Sequence, residues 1–154
     1  MTEEQIAQSR YPKHSGDIVL LARIYYMQNK KEEALQLASK TITTRKGILG
    51  SKGPRVADSM FIVAGMLREA GKDALAMKLF REIIGMAQGM IEMQGHLARA
   101  LWTSGNMLEE SGDSGEGAGL KRTAREVREK IRGRETEDED TDESFSKLVG
   151  YMLW

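Results

Sequence analysis

The residues that could do chemistry in this chain are few, and the absence of cysteine removes thiol nucleophiles, thiolate zinc sites and disulfides at once. Gly112-Asp113-Ser114-Gly115 spells the nucleophile stretch of trypsin-like proteases. A serine there would need a histidine base oriented by a buried aspartate, and the only histidines are His14 and His96. Gly115, Gly117 and Gly119 could cradle a phosphate, but no strand leads into them. Gly65–Lys72 has one residue too many between its glycines for a phosphate loop, and Asp73 stands where that loop requires Ser or Thr. Glu92 and His96 are spaced to share a helix face, yet two ligands do not make a zinc site. The sequence therefore points to no enzyme, no catalytic residue, no metal and no cofactor.

Charge and apolar patterning offer binding chemistry instead. Lys121, Arg122, Arg125, Arg128, Lys130, Arg132 and Arg134 are followed at once by Glu135, Glu137, Asp138, Glu139, Asp140, Asp142 and Glu143. A basic helix over 120–134 could touch nucleic acid, and this is the alternative function. Nucleic acid is disfavoured as a partner, because no aromatics interleave the cations and an acidic block adjoins them. That block, 134–143, is expected to be a solvated acidic linker that shields the basic helix. Beyond it, Phe145, Leu148, Val149, Met152 and Leu153 form one helical stripe in the amphipathic segment 144–154. The stripe is expected to dock back on the rest of the chain. Ten methionines, concentrated around Met60–Met93, read as adaptable core fillers.

These features need positioning elements, and the apolar spacing supplies helices only. The chain has 154 residues with 23 basic and 23 acidic side chains, so its formal charge is zero. No segment approaches the ~20 apolar residues of a membrane span, and the first ten residues, with Glu3 and Glu4 and no apolar block, are not expected to act as a secretory signal. A cytoplasmic location is expected, with the nucleus as the alternative. Helices are predicted over 15–28, 31–46, 55–70, 73–90, 94–111 and 120–133, with a seventh at 143–153. Residues 1–14 form an N-terminal extension and 15–133 the helical domain. Gly112–Gly119 is expected to be a lengthened, flexible turn inside the last hairpin.

Self-similarity arranges these helices. Under a 42-residue shift, Ile18, Leu21, Ala22, Tyr25, Asn29, Ala34 and Ala38 fall on Met60, Val63, Ala64, Leu67, Gly71, Ala76 and Phe80. A 41-residue shift then carries Met60, Ala64, Leu67 and Gly71 onto Leu101, Gly105, Leu108 and Gly112. The small residues allow close helix approach, the large ones fill the space between, and Asn29, Gly71 and Gly112 suit a helix end that needs positive φ.

On these residues the chain resembles the tetratricopeptide repeat family, in the longer kinesin-light-chain form of the repeat. The resemblance implies an all-α fold, an antiparallel helix-hairpin repeat stack (a TPR-like α-solenoid) of about three repeats. It further implies a non-enzymatic adaptor that takes a protein or peptide partner in a concave groove lined by the first helix of each hairpin. The groove positions would be Val19, Arg23, Tyr26, Phe61, Arg68, Trp102 and Asn106. Self-association, or assembly into a larger repeat protein, stays open. The early-repeat asparagine of kinesin light chains is absent, with Ile62 and Thr103 in its place, and the carboxylate-clamp set is also missing. Those family partners do not carry over.

Overall fold

The computed structural model describes Thr2 and residues 15–50, 52–133 and 139–149, with backbone alone for 15–20 and 48–49. All regular structure among them is helical: α1 (Ser15–Met27), α2 (Lys31–Leu49), α3 (Pro54–Glu69), α4 (Asp73–Ala87), a 3₁₀ turn (Ile91–Met93), α5 (Gln94–Glu110), α6 (Ser114–Arg132) and α7 (Asp142–Ser146). The contacts divide the chain into two compact units that meet in sequence between Gly71 and Lys72. In the first, α1 packs on α2 and α2 on α3; in the second, α4 packs on α5, α5 on α6, and α7 on α5.

The period read from the sequence is present in the backbone. Asn29, Gly71 and Gly112 have φ of 61°, 78° and 95°. Each is followed by a residue of nearly one conformation: Lys30 at −91°, 64°, Lys72 at −92°, 59° and Asp113 at −93°, 65°. The amides of Lys30 and Asp113 reach back to the carbonyls of Tyr25 and Leu108, the six-to-one bond that closes a helix through a left-handed residue. The sequence-equivalent small residues Ala22, Ala34, Ala64 and Ala76 are all fully buried. Met60, Met66, Met86 and Met93 are core side chains.

The third hairpin corrects one expectation. Residues 114–119 are not a flexible turn; they are the first turns of α6, capped by the Asp113 carboxylate, which accepts from the Glu116 amide. Helix α6 begins 41 residues after α4, so nothing has been inserted. Gly117 is the register mate of Ala34 and Ala76, and its glycine is a packing requirement. A Cβ there would meet the Gly105 carbonyl at 2.7 Å, and a Cβ on Gly105 would meet the Gly117 carbonyl at 2.8 Å. Two glycines face each other where α5 and α6 cross, whereas Gly115 and Gly119 have open space around them.

In the first unit, Arg45 on α2 is only 3% exposed and ties α2 to α3. Its guanidinium donates to the Arg55 carbonyl and to Ser59 Oγ, both at 2.8 Å. Burial lowers the Arg45 pKa, and the Asp58 carboxylate opposes that shift; the guanidinium stays charged.

Candidate functional site

Six of the seven expected groove residues have described side chains, and they fall into two sets. Val19 lies on α1, where the backbone alone is described. Arg23 is exposed, and Tyr26, Phe61 and Arg68 are half-buried, all in the first unit. The Tyr26 hydroxyl donates to the Glu69 carboxylate, and that hydrogen bond is the leading cause of its raised pKa. The Lys31 ammonium lies 5.9 Å from the Tyr26 ring centroid.

The second set, Trp102 and Asn106 on α5, is brought together by a third group. Asp142 Oδ1 accepts from Trp102 Nε1 at 2.9 Å and from Asn106 Nδ2 at 3.2 Å. One turn further along α7, the fully buried Phe145 stacks on Trp102, with centroids 4.5 Å apart and planes 14° from parallel. These two positions of α5 are therefore already engaged by the chain's own acidic and aromatic side chains.

Helix α6 supplies the cationic side of this seat. Lys121, Arg125 and Arg128 recur at helical spacing on one face. The Lys121 ammonium is 4.4 Å from the Trp102 ring centroid and bonded to Glu109 at 3.0 Å. The Arg125 guanidinium is 5.5 Å from the same centroid. Arg128 lies 4.5 Å from the Phe145 centroid and donates to Asp140, to the Glu139 carbonyl and to Ser144 Oγ. Asp140 accepts from Arg125 and Arg128, each at 2.7 Å. Burial alone would raise the Asp140 carboxyl, but these two hydrogen bonds outweigh it and hold the group below the ordinary carboxylate range. Thr141 caps α7 by accepting from the Ser144 amide.

At the far end, the segment runs against the start of α5. A Cβ on Gly95 would lie 2.2 Å from the Leu148 carbonyl oxygen, so this glycine admits the 148–149 backbone. The apolar stripe of the C-terminal segment is thus engaged at Phe145, while Met152 and Leu153 lie outside the described residues. The helix over its start is shorter than the sequence pattern implies, ending at Ser146.

The magnitudes make this docking a close balance. Burying Phe145 is worth about 1.5–3 kcal/mol, and its stack on Trp102 adds about 0.5–1.5 kcal/mol. Ordering each backbone residue costs roughly 1–2 kcal/mol, and the ion pairs of Asp140 are partly exposed and so contribute little.

Arg125 and Arg128 are the site residues that sequence reasoning missed. Neither was among the expected groove positions, yet Arg128 is only 9% exposed. One signal was available: Arg128 stands one 42-residue and one 41-residue step after Arg45. Both arginines grip a backbone carbonyl and a serine hydroxyl, Arg45 within the first turns of α3 and Arg128 just before and within α7. In the middle repeat the position is Ala87, and the bond is reversed: Gln94 at the start of α5 donates back to the Ala87 carbonyl.

Ser114 is an exposed first residue of α6, Glu92 is exposed while His96 is buried, and His14 lies outside the described residues. Among the described residues no three His, Asp or Glu side chains converge on a metal position, and no helix is long and apolar enough to cross a membrane.

The hairpin period and the packing of successive helices define a TPR-like helical-repeat protein, a class generally used for protein–protein interaction or scaffolding. Residues 20–55, from the middle of α1 to the start of α3, match the tetratricopeptide repeat family. Among solved structures, BtubC (BKLC) from P. vanneervenii is similar, with a TM-score of 0.74 at 16% identity over 84% of this chain and 52% of that one. The present chain therefore spans about half the length of that protein. No curated protein matches it in sequence.

Proposed function

We propose that this chain is a non-enzymatic interaction module, an adaptor that binds a peptide or a helix of another protein through the face built by α5 and α6. One observation carries the reading: Trp102 and Asn106, two groove positions expected from the repeat pattern, hold a short peptide segment by stacking and by a shared carboxylate. A surface that engages a segment of its own chain in this way has the aromatic and arginine composition of interface hot spots. Val19, Arg23, Tyr26, Phe61 and Arg68 are the corresponding candidates of the first unit. The nucleic-acid alternative is weakened by the pairing of Arg125 and Arg128 with Asp140 and of Lys121 with Glu109. A cysteine-free chain fits a cytoplasmic setting.

The test is a peptide-display selection against the full chain carrying Gly95→Ala, which disturbs the resident segment at its Leu148 end. Selected peptides should bind the variant and lose binding when Trp102→Ala is added. Peptides whose affinity ignores Trp102 would end the reading.

A further inference from the structure

We propose that the α5–α6 face recognises, in a partner protein, a short helical turn with two acidic residues and an aromatic one in the spacing Asp-x-Asp-x-x-aromatic. The chain's own Asp140, Asp142 and Phe145 are the resident occupant that such a partner displaces. The proposal rests on the α5–α6 face being a binding surface and adds the chemistry of what binds there.

Each position of the pattern has its own receptor. The first aspartate meets the paired guanidinium groups of Arg125 and Arg128 at 2.7 Å. The second meets two neutral donors, the Trp102 indole and the Asn106 amide, and those donors favour an acceptor at that spot. The aromatic ring lies on Trp102 and beside Arg128, in a contact that excludes water from Phe145 altogether. Helical spacing matters because Asp142 and Phe145 are three residues apart, on one side of a single turn.

The chemistry selects the occupant's sign. Lys121, Arg125 and Arg128 line the seat from one helix, so a basic segment would be repelled and a purely apolar one would leave the Arg125 and Arg128 guanidiniums without Asp140. Displacement is feasible because the resident helix has five residues, far below the length at which a helix is stable by itself. What the resident segment has in its favour is tethering, which gives it a local concentration in the millimolar range.

The experiment uses the full chain and a fluorescein-labelled peptide of residues 139–147, which ends before the backbone that meets Gly95, read by anisotropy. Two variants open the seat: Phe145→Ala, and Gly95→Ala, whose added Cβ runs into the 148–149 backbone that the peptide lacks. The opened chains should bind the peptide about ten-fold or more tighter than the parent, which carries its tethered competitor. Peptides with Asp142→Ala or Phe145→Ala, and a scrambled peptide, should bind about ten-fold or more weaker, as should an opened chain carrying Arg128→Gln. The Trp102 indole N–H resonance should move when the seat is opened and return when peptide is added. Equal binding of native and scrambled peptides, or no binding to either opened chain, overturns the proposal. If display instead selects Trp102-dependent peptides that lack the acidic-aromatic pattern, the module reading stands and this partner chemistry falls.

Discussion

Arg45 and Arg128 occupy the same step of the repeat and make the same kind of grip, but they hold very different things. Arg45 fastens the 16-residue α3 inside the first unit, from a position that is almost fully buried. Arg128 fastens the five-residue α7, and its carboxylate partner, Asp140, is 41% exposed. The first grip is permanent architecture, since α3 cannot leave without exposing Val56, Met60 and Val63. The second holds a segment whose attachment rests largely on one buried ring. The same repeat device thus joins α2 to α3 and α6 to α7, with a long helix held in one case and a single short turn in the other.

The largest expected effect tests the permanent grip. Arg45→Ala should destabilise the first unit by about 3–5 kcal/mol, because the buried Asp58 loses its opposing charge. Urea unfolding of that variant and of Arg128→Ala should give clearly unequal losses, and equal losses would break the distinction between the two arginines. Next in size is the glycine crossing of the second unit. Gly105→Val should cost about 1–3 kcal/mol or more by overpacking against Gly117 and Lys121, despite valine's better helix propensity. A thermal melt unchanged by that substitution would mean that α5 and α6 do not approach as closely as described.

Smaller effects sharpen the account of the seat. Gly95→Ala should leave the main unfolding transition in place while hydrogen exchange at residues 139–149 speeds up. An unaltered exchange pattern would show that the segment does not lie against α5 there. The smallest effect concerns pH. Asp140 has its carboxyl lowered in the docked state, so its contribution is complete above the free value of about 3.9 and is lost as pH falls through the docked value. Docking, followed by the Trp102 indole resonance, should therefore weaken in acid below about pH 4, and Asp140→Asn should flatten that dependence. Added salt should weaken docking modestly in the parent and less in Asp140→Asn.

How much of this was legible beforehand depends on the kind of residue. The helices, their period and their closing turns followed from sequence alone, because apolar spacing and the need for positive φ at Asn29, Gly71 and Gly112 are local constraints. Gly117 was misread because a glycine run has two local meanings, a turn or a close helix approach, and only the facing Gly105 decides between them. Register could place Trp102 and Asn106 on one face of α5, one turn apart, but could not name the group they share. Asp142 lies 40 residues from Trp102, and a polar group's partner across such a distance leaves no periodic trace. The charges of α6 and the acidic stretch were visible as blocks. That Arg125 and Arg128 take Asp140 in particular was settled only when tertiary packing of Phe145 on Trp102 fixed where the segment lies.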